Sequence, residues 1–104
     1  MPLRSQDAVL LDGFTGTGTS GSGHNGWSRV EGSVHTVVVT TDGGTPTGNV
    51  EWSLDAVTVA STDALSFSSN VATVNVTGEV YRYARINVTG NAGGNELNAL
   101  AVSI

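Results

Sequence analysis

The sequence predicts an all-β protein, an antiparallel sandwich or barrel, and three observations carry that prediction. Beyond residue 30 apolar side chains recur with period two. Glycine- and proline-bearing turn signals separate the runs. No segment holds apolar residues at i, i+3, i+4 and i+7 for even three turns.

Taken in order, "MPLRSQDAVLLDGF" has a four-residue apolar run at 8–11, too short for a signal-peptide core. Its apolar residues (Leu3, Val9, Leu10, Leu11, Phe14) have two fates open: a first strand of the same domain, or an arm that docks on a neighbour. Residues 15–26, "TGTGTSGSGHNG", are almost wholly glycine, serine and threonine and read as a flexible or extended loop. "SVHTVVVTT" is β-branched throughout and suits a more fully buried strand. "NVEWSLD" alternates Val50, Trp52 and Leu54 with Glu51, Ser53 and Asp55. "VATVNVTG" sets Ala72, Val74 and Val76 against Thr73, Asn75 and Thr77. "VYRYARINVT" places Ala84, Ile86 and Val88 opposite Tyr83, Arg85 and Asn87, and "NALAVSI" groups Leu100, Val102 and Ile104. Turn chemistry at 41–48 ("TDGGTPTG") and 89–95 ("TGNAGGN") separates these runs.

The chain is one domain of 104 residues with only 6% aromatics, a light core that gains from a partner subunit. Nine acids face four basic residues, all arginine, for a net charge of −5, which argues against nucleic acid. Cysteine is absent, so there is no disulfide framework, thiolate zinc site or cysteine nucleophile. No stretch nears the ~20 apolar residues of a membrane span, and a soluble protein made in its producer's cytoplasm is expected.

Each motif with a chemical reading also has a plainer one. "GTGTSG" at 16–21 matches GxGxxG, but "SGHNGW" after it cannot open the helix that a dinucleotide needs, and without lysine a P-loop is excluded. His24 falls in the glycine loop and His35 inside a strand, and no GxSxG elbow supplies a serine nucleophile. Glu51 and Asp55 share a strand face, as glycosidase carboxylates do, yet read as a solvent-facing stripe. Calcium would prefer a DxDxD cluster, which is missing. Trp52 reads as core, whereas Trp27, Tyr81 and Tyr83 are candidates for stacking on sugar, with Arg85 on the face of the two tyrosines. Asn75 and Asn87 fit the glycosylation sequon by coincidence. No catalytic, metal or cofactor residues are expected, and the protein is expected not to be an enzyme.

"EWSLDAVT" followed by "YRYARINVTG" resembles the small virion proteins of tailed bacteriophages, in which an "SLDG…W" strand-turn precedes "RYVR". The same phrase is similar to discoidin-like jelly rolls. The resemblance spans roughly residues 33–104, with two departures: Ala56 stands where the pattern has glycine, and Thr58 and Val59 lie where it has tryptophan. It implies a jelly-roll-like β-sandwich that decorates or cements a capsid, usually as a homotrimer.

The expected organisation is an arm and loop over residues 1–32 and a β-sandwich domain over 33–104. The expected function is capsid decoration on the virion surface, with the major capsid protein and the chain itself as partners. A tail or head-fibre component and a carbohydrate-binding module are the alternatives. Leu3, Arg4, Leu10, Leu11 and Phe14 are the expected contact residues, with Arg29 as a charged anchor.

Overall fold

A computed structural model describes residues 6–19, 26–77 and 81–104. Every element in it is a strand: β1 (Gln6–Phe14), β2 (Ser28–Arg29), β3 (Val34–Thr41), β4 (Thr47–Ser53), β5 (Val59–Ala64), β6 (Val71–Thr77), β7 (Tyr83–Gly90) and β8 (Leu97–Ser103). Sheet I has the order β1-β8-β3-β6 and sheet II the order β2-β7-β4-β5. The antiparallel partners β1/β8, β2/β7, β3/β6 and β4/β5 are those of one long hairpin folded over on itself. Such a hairpin, wrapped so that its strands alternate between two sheets, is a jelly roll. The predicted all-β sandwich of jelly-roll type is the fold.

Alternation builds the core where the two sheets face each other. Val37 and Val39 from β3, Val50 and Trp52 from β4, Ala84, Ile86 and Val88 from β7, and Leu97, Ala99 and Ala101 from β8 are all buried. Trp52 is fully enclosed, and its indole Nε1 donates to Asp63 Oδ2 at 2.8 Å. That bond satisfies an N–H which would otherwise cost about 1–3 kcal/mol to bury.

The boundary expected at residue 32 does not divide the molecule. β1 pairs with β8 along sheet I, and Leu10, Leu11 and Phe14 are at most 1% exposed, inside the chain's own core. A β-bulge between Val9 and Leu11 makes this possible, because the extra residue turns both leucines inward. These residues are core, not arm, since a core poor in aromatics needs their volume. The described part of the glycine loop is likewise tied to the sandwich: Gly18 exchanges backbone hydrogen bonds with Val88 on β7, at 2.7 and 3.2 Å, and Asn91 Nδ2 donates to the Gly16 carbonyl at 3.4 Å.

Candidate functional site

The sandwich presents two unlike outer faces. On sheet I the outward residues are Val9 of β1, Leu100 and Val102 of β8, Val34, Thr36, Val38 and Thr40 of β3, and Val71, Thr73, Asn75 and Thr77 of β6. The apolar set of β8 therefore faces opposite to ordinary expectation: Leu100 is 39% exposed while Ala99 and Ala101 are buried. Small residues inside leave room for Leu10, Leu11 and Phe14, and the larger side chains are turned outward. Val9 is 53% exposed beside Leu100, its cross-strand partner. Together with Val38, Thr40, Asn98 and Asp12 they line a shallow open groove of about 560 Å³, whose lining also includes the buried Leu11 and Ala99. Asp12 is the one ionisable side chain among the groove's lining residues.

The outer face of sheet II is polar and aromatic. Glu51 on β4 lies opposite Arg85 on β7, and Arg85 Nε donates to Glu51 Oε1 at 2.6 Å. The other carboxylate oxygen accepts from Asn87 Nδ2 at 3.3 Å. The guanidinium of Arg85 sits 4.1 Å from the centre of the Trp27 ring, and that of Arg29 lies 5.6 Å from the Tyr83 ring. Glu51 is thus not a solvent-facing stripe residue. It is nearly buried, because the arginine and the asparagine beside it close over its carboxylate.

The β4–β5 turn carries an alanine, Ala56, in a backbone conformation that favours glycine: its φ of +62° is left-handed. Ser53 Oγ accepts from the amides of Asp55 and Ala56 and donates to the Thr58 carbonyl at 2.6 Å. Asp55 Oδ1 accepts from the amides of Val57 and Thr58 at 2.9 and 2.8 Å. These backbone donors, Thr58 first, then Val57, with Ser53 adding a side-chain bond, hold the Asp55 carboxyl below its ordinary 3.8. Glu51 and Asp55 therefore do separate structural work, one in a strand pair and one in a turn.

The remaining expectations separate cleanly. Leu3, Arg4 and His24 lie outside the described residues. Arg29 is exposed, as an anchor would be, and lies 3.9 Å from Glu31. Tyr81 and Tyr83 do not share a face, because the chain bends at Arg82 before β7 begins. Tyr81 stacks on Trp52 with ring centres 5.4 Å apart, while Tyr83 faces out. His35 is buried against Trp52 and hydrogen-bonded through Nδ1 to Ser103 Oγ at 2.8 Å. Sequence reasoning missed the apolar outer face of sheet I, whose signal was present: β3 is β-branched on both its faces. No protein-family model, curated protein or solved structure matches the chain.

Proposed function

We propose that this chain is a structural virion protein of a bacteriophage, a capsid decoration protein that docks on the major capsid protein through the outer face of sheet I. One observation carries the reading. An acidic protein of net charge −5 keeps β3, β6 and β8 free of charged side chains on an outward face that exposes Val9, Val34, Val71 and Leu100. Surfaces of this kind mark protein contact. The resemblance of 33–104 to small phage virion proteins supports the same reading.

The contact residues in this reading differ from those expected of an arm. Leu10, Leu11 and Phe14 hold β1 in the core and give way to Val9, Val38 and Leu100 as the docking set. Co-sedimentation with shells of the cognate major capsid protein tests it. Val38→Asp and Leu100→Asp should each abolish binding while leaving the fold intact. Wild-type binding by both variants would sink the reading, and virion cryo-electron microscopy would separate shell from tail or fibre positions.

A second reading, a carbohydrate-binding module, is favoured by Trp27 and Tyr83, which sit on sheet II's outer side among arginines and amides. It predicts glycan-array signals lost in Trp27→Ala and Tyr83→Ala. Tyr81 drops out of that site because it packs against the core.

A further inference from the structure

The four sheet edges are not protected equally. β1 is broken by two register shifts and carries the exposed Asp12. β2 is two residues long. β5 has a register shift opposite Trp52 and Ser53, and its Asp63 points inward to the Trp52 indole. Bulges, brevity and inward charges are devices by which edges avoid pairing with other chains. β6, "VATVNVT", has none of them: it pairs with β3 in one unbroken register from Val71 to Thr77, with no charge and no proline.

The ladder shows which groups β6 leaves open. The Thr41 amide donates to the Asn70 carbonyl, which places Thr41 and Asn70 in a hydrogen-bonded pair. Bonded pairs alternate along an antiparallel ladder, so Ala72, Val74 and Val76 bond β3. Val71, Thr73, Asn75 and Thr77 then turn their N–H and C=O groups outward. Val71 confirms the phase, because it exchanges both its bonds with Ser68. Among the described residues, no strand pairs with the outward edge of Thr73, Asn75 and Thr77.

We infer that this edge pairs with the same edge of a second copy, antiparallel and about a two-fold axis through Asn75. That register sets Asn75 against Asn75 and Thr73 against Thr77 in both directions, so all three outward residues exchange both backbone bonds. On the core side it brings Val74 beside Val76, which is only partly buried in one copy. A second copy is the occupant because the edge is self-complementary and uncharged, so two chains of net charge −5 meet where like charges are absent. The result is one continuous eight-stranded sheet. One copy offers a strand edge about 24 Å long, seven residues at about 3.4 Å each. Even at about 500 Å² per copy the pair buries about 1,000 Å² in total, below the ~1,600 Å² of a standard interface, so the pairing is weak and depends on concentration. The pairing does not depend on the shell-docking reading, and its two-fold differs from the three-fold that the phage resemblance implies.

The test uses the free protein in solution, without shells. Multi-angle light scattering from about 10 µM to 1 mM should show mass rising from 10.6 kDa towards twice that value. Asn75→Pro removes an outward N–H while leaving the β3 ladder intact, and should keep the protein monomeric. Asn75→Lys sets two ammonium groups against each other on the axis, and should weaken pairing at least tenfold at low salt, with recovery at high salt. Thr40→Lys, on the same face but one strand inward and opposite Val71 rather than Asn75, should still pair. Amides of Thr73, Asn75 and Thr77 should gain exchange protection with concentration, a readout needing no variant. A monomer at 1 mM, a trimer, pairing that survives both Asn75 variants, or pairing lost in Thr40→Lys would each overturn the inference.

Discussion

The two outer faces are made by the same alternation on the same sandwich, yet they treat their exposed groups in opposite ways. Sheet II matches its polar groups to one another: Glu51 takes Arg85 and Asn87, Trp27 takes the other side of Arg85, and Tyr83 takes Arg29. Sheet I leaves Val9, Val34, Val71 and Leu100 to water. A face whose groups are already paired gains stability from within the chain. A face of unpaired apolar groups gains it only when something displaces the water. The contrast therefore separates residues that hold the fold from residues available to a partner.

The largest effect expected is from removing residues 1–14. If β1 were a separable arm, the sandwich would survive. Losing Leu10, Leu11 and Phe14 costs about 2–5 kcal/mol for each side chain, which together meet the whole ~5–15 kcal/mol of a small domain. The truncated chain should lack the dispersed amide spectrum of a folded protein.

Arg85→Ala breaks the comparison next. It strips the nearly buried Glu51 carboxylate of its charge partner and uncovers Trp27, at a cost of about 2 kcal/mol, or roughly 10 °C in Tm. On the opposite face, Leu100→Ser should change stability by no more than about 0.5 kcal/mol while weakening any docking through sheet I. Equal losses in thermal melts would show that the faces do not divide the work this way.

Ala56→Gly should stabilise by about 0.5–1 kcal/mol, because it relieves a left-handed alanine in the turn that ends β4. Chemical denaturation measures this directly, and a loss would mean that the alanine's methyl packs usefully.

The smallest effect is on pH. Asp55 is held below 3.8 in the folded turn, so its contribution is fully present above the unfolded carboxyl's pKa of about 3.9. It is lost as pH falls through the lower folded value. The amide signals of Val57 and Thr58 should shift in that acid range, and Asp55→Asn should remove the dependence.

By itself the sequence determined the all-β class, strand-forming runs at 33–41, 49–55, 71–78 and 80–89, and the burial of Trp52, Val74 and Ile86. Period-two alternation is a local property that one strand carries alone. It could not say which face of β8 lies inside. "NALAVSI" carries small residues on one parity and large ones on the other, and only the bulk of Leu10, Leu11 and Phe14 on the neighbouring strand β1 decides that the alanines turn inward. The same holds for β1, whose place as arm or strand stays open until β8 is there to pair with it. Tyr81 was misplaced because a bend at Arg82 breaks the parity that a linear reading extends. The open edge of β6 belongs to this second class as well. Its residues look like any half-buried strand, and only the strand order, with β3 on one side and no described strand on the other, makes it an edge. Pairing is set by contacts between residues far apart in the chain, and those exist only once the sandwich has closed.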